Sequence, residues 1–193
     1  MKLVFATHNA HKLKEVQQLL PSGIELLSLE DIGCIEEIPE TGETLEENAK
    51  LKADFVTKKY GFDCFSDDTG LLVNALNGAP GVYSARYAGA HKNAKDNMAK
   101  VLSQLAGVAE REAHFKTVVH LNINGENHVF NGIVKGVITE AEQGDGGFGY
   151  DPIFKPNGHD LTFGELSAAR KNAISHRGRA IQKLVSFFNN RQL

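Results

Sequence analysis

Apolar residues open the chain as an unbroken run, Leu3-Val4-Phe5-Ala6, which stops at the small polar residues Thr7, His8 and Asn9. Leu13, Val16, Leu19 and Leu20 then recur at helical spacing, so the pattern predicts strand, turn and amphipathic helix. Residues 24–29 read as a second strand, and 33–42 as an acidic loop with Glu36, Glu37 and Glu40 around Pro39. Thr44 and Glu47 stand at capping-box spacing before a helix predicted to end near Tyr60. Residues 62–66 predict a short apolar strand ending at Asp67-Asp68-Thr69-Gly70. Pro80-Gly81 marks a turn, and residues 94–106 a helix. Two long strands, 113–123 and 128–138, flank Asn124-Gly125, a strong hairpin signal. A glycine-rich loop, 144–149, leads through Tyr150-Asp151-Pro152 toward a last helix, where Ala180, Ile181, Leu184, Val185 and Phe188 share one face. Strands and helices mix without strict alternation, which predicts an α/β or α+β fold with a mixed sheet.

Charge placement adds a pattern of its own. Asn9, Lys12 and Lys14 stand at the start of the first helix, and His176, Arg177 and Arg179 crowd the start of the last, with Lys171 a few residues upstream. Basic groups there oppose the helix dipole, at a cost of a few tenths of a kcal/mol up to about 1 kcal/mol. A bound anion reverses that sign, because backbone N–H groups and cations then converge on it. Two such termini point to a ligand of polyphosphate size. With a formal net charge of −3, broad electrostatic binding to a nucleic-acid polymer is disfavoured, so any anion site is local. The 193-residue length suits a single domain over 1–193, with one sizeable core or two lobes sharing a sheet. Cys34 and Cys64 have neither metal-ligand spacing nor a disulfide framework and read as buried thiols in a reducing cytoplasm. No run approaches membrane-span length and no signal-peptide pattern opens the chain, so no membrane association is expected and the expected location is cytoplasmic.

Three further groups carry candidate chemistry. Asp67-Asp68 follows a buried-looking strand; the pair reads either as turn residues or as the corner of a metal site, where a hard cation relieves carboxylate repulsion. Magnesium suits such a corner, held by one or two carboxylates and by substrate phosphate oxygens, and Glu40 and Glu43 add carboxylates nearby in sequence. Asn48 and Lys52, one turn apart, border an apolar helix face; Lys52 either snorkels or points into a polar cleft to meet a phosphate or a base carbonyl. In Gly146-Gly147-Phe148-Gly149-Tyr150-Asp151, glycines permit close backbone approach and Phe148 offers a surface for stacking a base. Together these parts suggest a magnesium-dependent enzyme acting on a nucleoside triphosphate. A nucleotide sensor without hydrolysis is the rival reading, and a single-stranded RNA module stacking bases on Phe148 and Tyr150 another.

The order and content of the motifs resemble the inosine triphosphate pyrophosphatase family. The matching blocks are Thr7-His8-Asn9-Ala10-His11-Lys12, Glu40-Thr41-Gly42, Glu47-Asn48-Ala49 with Lys52-Ala53, Asp67-Asp68-Thr69-Gly70, residues 78–87, residues 146–154, and residues 171–177. They span nearly the whole chain. The resemblance implies cleavage between the α- and β-phosphates of deaminated purine nucleotides such as ITP, dITP and XTP, giving a monophosphate and pyrophosphate. A related pyrophosphatase for other modified nucleotides is the alternative within the enzyme class. The resemblance further implies an elongated central mixed β-sheet flanked by helices, two lobes with the active cleft between them, and a homodimer.

Carried over by position, the phosphates fall to Thr7, His8, Asn9, Ala10, His11, Lys12 and Lys171, with Thr69 also on the nucleotide. Phe148, Gly149, Tyr150, Asp151, His176 and Arg177 line the base pocket. Asp68 is the proton acceptor and a Mg2+ ligand, supported at the metal by Asp67 and Glu40. Two positions depart from relatives: Pro39 precedes Glu40 where some carry a second glutamate, and His8 stands where many have glycine.

Overall fold

The computed structural model describes residues 1–191. Its strands are β1 (Lys2–Phe5), β2 (Glu25–Leu27), β3 (Cys64–Val73), β4 (Pro80–Gly81), β5 (Glu112–Ile123), β6 (Glu126–Ile138) and β7 (Phe154–Pro156). Its helices are α1 (Ala10–Gln17), α2 (Leu45–Tyr60), α3 (Ala94–Gln104), α4 (Ala168–Ile174) and α5 (His176–Asn190). The strands form a mixed sheet in the order β2-β1-β3-β5-β6-β7, with β4 paired to β3. β1 runs parallel to both β2 and β3, whereas β3–β4 and β6–β7 are antiparallel. Among the described residues no helix is long and apolar enough to cross a membrane.

Local chemistry accounts for the element ends. Asn9 caps α1, its side-chain oxygen accepting from His11 N at 3.0 Å and Lys12 N at 3.2 Å. Thr44 and Glu47 form the reciprocal capping box expected for α2, which closes on Gly61 in the left-handed region at φ 74°. Asn124 and Gly125, at φ 50° and 79°, make the two-residue turn between β5 and β6.

Three findings differ from the sequence pattern. β2 is shorter than predicted. β7 and α4 were absent from the pattern, and at three and seven residues they are too short for periodicity to register. Most consequentially, the strand expected to end at Asp67 continues through Asp67-Asp68-Thr69-Gly70 to Val73. The turn propensity of Asp reflects a polar side chain seeking backbone donors; here cationic side chains from distant segments meet the Asp67 carboxylate instead. Gly70 then admits the β4 backbone, since a Cβ there would stand 2.7 Å from the Gly81 carbonyl oxygen.

The chain divides into two compact units, each discontinuous in sequence. The first comprises Met1–Asp68, Thr117–Gly132 and the segment from Arg177 onward. Here β1 is buried on both faces: Leu3 and Phe5 join Phe65, Leu121, Ile181 and Leu184, while Val4 and Ala6 join Leu29, Val56 and Cys64. Phe5 and Phe65 stack at 4.6 Å. Both cysteines are free and buried, as expected of them. The second unit comprises Thr69–Lys116 and Ile133–His176. Its core gathers Leu71, Val73, Met98, Val101, Leu105 and Phe115 with Ile153, Phe154 and Phe163.

Candidate active site

Within the first unit, α1, α2, β3, α5 and the loop before α2 bring charged side chains together below the protein surface. Asp67, on β3, has a fully buried side chain with both oxygens engaged: Lys12 Nζ lies 2.8 Å from Oδ1 and Arg177 Nε 2.9 Å from Oδ2. Arg177, at the start of α5, also meets Glu15 of α1 through Nη1 at 2.5 Å. One residue along β3, Asp68 Oδ1 stands 3.9 Å from Lys52 Nζ, and the same ammonium is bonded to Glu40. Adjacent strand residues face opposite sides of a sheet. The two aspartates therefore meet different partners, one clamped between Lys12 and Arg177 and the other beside a lysine shared with Glu40.

These surroundings push the two carboxyls in opposite directions. Burial alone raises Asp67, but Lys12, Arg177 and Lys52 outweigh it and hold the group well below the ordinary carboxylate range. For Asp68, burial prevails over the attraction of Lys52 and Lys12, and its pKa is raised. Burial lowers Lys12, opposed by Asp67. In Lys52 the opposite balance holds: burial is overcome by Asp68, Glu40 and Asp67, and the pKa rises. Glu40, which burial alone raises, is kept low by Lys52. A neighbouring pair of carboxyls driven apart in this way is the arrangement from which acid–base roles are assigned.

The loops around this cluster are tied by specific bonds. Thr7 Oγ1 accepts from Asn9 N at 3.1 Å, so the turn between β1 and α1 is internally braced. Because Asn9 already occupies the first amides of α1, a ligand at this terminus meets side-chain cations more than bare backbone donors. Exposed His8 faces Glu36, its Nε2 lying 2.9 Å from the backbone carbonyl. That oxygen accepts only, which assigns the ring proton to Nε2. Ala10 and His11 form the exposed first turn of α1. Asn48 is 1% exposed; its Oδ1 accepts from Gly42 N at 2.8 Å, and its Nδ2 has no hydrogen-bond partner among the described residues.

A second constellation lies within the second unit. Asp151 Oδ2 accepts from Phe148 N and from Lys171 Nζ, both at 2.7 Å, with Asp151 and Lys171 almost wholly buried. Lys171 Nζ also sits 4.6 Å from the Phe148 ring centre, a cation–π contact. Gly147 and Gly149 adopt φ 71° and 64°, shaping the loop that presents Phe148. Tyr150 donates its hydroxyl to the Ser84 carbonyl at 2.7 Å, and His176 stacks on Phe115 at 4.4 Å. Thr69 is half-buried on β3.

The residues expected to act together thus fall into two groups: Lys12, Lys52, Glu40, Asp67, Asp68 and Arg177 in one, and Phe148, Tyr150, Asp151 and Lys171 in the other. Arg177, expected beside the base, is committed to Asp67 and Glu15, and Asp67 is held by cations through both oxygens. Glu15 was not foreseen. The only hint in the sequence is its place one helical turn after Lys12, a spacing equally common on a solvated face.

Comparison with known proteins places these motifs. Residues 3–187 match the model of the Ham1 family. A dITP/XTP pyrophosphatase of Flavobacterium johnsoniae is 60% identical over 185 residues, covering 96% of each chain. One of Flavobacterium psychrophilum is 56% identical over 98% of this chain and all of its own. The structure of a HAM1 protein from Coxiella burnetii superposes with a TM-score of 0.91 at 38% identity, covering 98% of this chain and 99% of that one. With a family model spanning nearly every element and relatives this similar along their whole length, the chain belongs to the Ham1 family.

Proposed function

We propose that this protein hydrolyses deaminated purine nucleoside triphosphates, ITP, dITP and XTP, to the monophosphate and pyrophosphate. The observation that carries the reading is the opposed pair on β3. Asp67 is locked in its ionised form by Lys12 and Arg177, while Asp68, its pKa raised by burial, is the better proton acceptor of the two. The names of relatives at 56–60% identity, dITP/XTP pyrophosphatase, supply the substrate class.

In this reading a water attacks the α-phosphorus. Asp68 takes its proton as the new phosphorus–oxygen bond forms, and the bridging bond to the β-phosphorus breaks. The electron pair leaves on pyrophosphate, whose charge Lys12 and Lys52 offset. Phe148 stacks on the purine, and the buried Asp151–Lys171 pair fixes the loop that carries it. A 6-oxo purine is separated from a 6-amino one by a donor that the amino group cannot satisfy.

A magnesium ion fits the donor chemistry. Asp68 and Glu40 present hard oxygens to either side of the Lys52 ammonium, whereas both Asp67 oxygens are already taken. Asp68 and Glu40 would therefore hold the ion, with Asp67 fixing the cations around it. Among the described residues no cage of three or more metal-ligating side chains forms, in keeping with an ion that keeps waters and takes substrate phosphates as ligands. When bound, it supplies positive charge to the phosphoryl oxygens.

The test is incubation with Mg2+ and ITP, XTP, ATP, GTP or dTTP, measuring pyrophosphate and orthophosphate separately. Pyrophosphate mainly from ITP and XTP is expected. Release from another nucleotide refutes the specificity, orthophosphate in place of pyrophosphate refutes the bond cleaved, and binding without turnover makes the protein a sensor.

A further inference from the structure

Asn48 is buried beside Lys52 on one face of α2, and only half of its amide is used. Gly42 N–H donates to Oδ1 at 2.8 Å, which fixes the orientation of the group: a flipped amide sets its NH2 against another N–H. Gly42 packs closely on this group: a Cβ there would stand 2.9 Å from Asn48 Oδ1, so the approach needs glycine. The Nδ2 donor therefore points elsewhere, buried and without a partner among the described residues. Buried donors in native structures are almost always satisfied. Glu40 is bonded to the neighbouring Lys52, and Asp68 Oδ1 stands 3.9 Å from the same ammonium.

We propose that Asn48 Nδ2 is a phosphate-binding donor, meeting a phosphoryl oxygen of the bound nucleotide alongside Lys52. An acceptor carried in by the ligand satisfies the amide only in the occupied state. The neutral donor adds directionality where lysine supplies charge alone. Its Oδ1 meanwhile holds Gly42, so one side chain ties the Glu40–Gly42 loop to the ligand. The identity of the ligand rests on the hydrolase reading above; the vacant donor does not.

Asn48→Asp is the informative variant, because it keeps an oxygen for the Gly42 N–H and replaces the donor by an acceptor. A folded variant with kcat/KM for ITP lowered roughly ten- to a hundred-fold is expected, the worth of one hydrogen bond to a charged group. A variant near wild type shows that Asn48 only anchors the loop and overturns the proposal. Should Asn48→Asp fail to fold, the wild-type protein decides. On titration with inorganic pyrophosphate, the Asn48 side-chain 15N–1H resonances move downfield if the donor engages phosphate, and stay fixed if it does not. Amide movement in a protein that does not release pyrophosphate from ITP retains the donor and rejects the hydrolase reading; turnover with an unmoved amide does the reverse.

Discussion

Asp67 and Asp68 are neighbours on one strand, and neutralising each in turn has opposite consequences. Asp67→Asn keeps the shape of the side chain but leaves Lys12 and buried Arg177 facing an amide, with Arg177 still paired to Glu15. Removing one partner of a buried ion pair costs about 3–5 kcal/mol, because the other charge stays desolvated. At roughly 2–4 °C per kcal/mol for a chain of this size, the melting temperature falls by about 6–20 °C. Asp67 is held below the ordinary aspartate value of 3.8. Its stabilisation is therefore fully present above pH 3.8 and lost as pH falls through the lower folded value. Asp68 is raised above 3.8, so its ionisation opposes folding as pH climbs past 3.8, and Asp68→Asn removes that opposition. The second variant accordingly melts at or above the wild-type temperature, yet its turnover drops by about two to four orders of magnitude, the usual worth of a general base. The assay is thermal unfolding at pH 7 in chelator, paired with pyrophosphate release from ITP in Mg2+. The reasoning fails if Asp67→Asn loses less than about 1 kcal/mol, or if Asp68→Asn is the less stable of the two.

Asp54, which burial alone raises, is drawn down to about 2 by hydrogen bonds from Lys50, Asn122 and Lys58. At pH 7 Asp54→Asn is expected to unfold about 1–2 kcal/mol more easily, after allowance for solvent screening. That gap closes as pH falls from 3.8 to about 2, and urea melts showing an unchanged gap across this window would refute the assignment. Gly147→Ala and Gly149→Ala share a left-handed backbone strain of roughly 1–2 kcal/mol. Only at Gly147 does the new methyl strike the Asp151 side chain, whereas Gly149 faces open space. Gly147→Ala should therefore lose at least about tenfold more kcat/KM for ITP than Gly149→Ala, and equal losses would show that the Asp151 clamp does not position Phe148.

What was legible in the sequence was local. The Thr44–Glu47 capping box, the Asn124-Gly125 turn and the stripe of α5 each concern residues within a few positions of one another, and each stands where predicted. The pattern ends the strand at Asp67, whereas the groups that stabilise its continuation come from Lys12 and Arg177, 55 and 110 residues away in sequence. Adjacent aspartates without those partners are indeed turn formers. The same distance hid the role of Arg177: charge placement at a helix start suggested an anion, and the anion it meets is a carboxylate of the chain itself. His8 stands where many relatives have glycine, and the structure directs its ring to the Glu36 carbonyl.

The placement of Arg177 on α5 bears on how the protein is made. The first unit draws on three separate stretches of chain, and the third delivers both Ile181 and Leu184 to the core around Phe5 and the guanidinium that meets Asp67. Translation yields Asp67 long before that partner, so during synthesis the strand carries a carboxylate whose main cationic clamp is incomplete. A nascent chain halted before α5 lacks both the apolar cover and the counter-charge, and the two defects fall on the same unit. Ribosomal products cut short there therefore carry Asp67 without its Arg177 counter-charge, and the charged cluster is completed only when the segment that seals the core emerges.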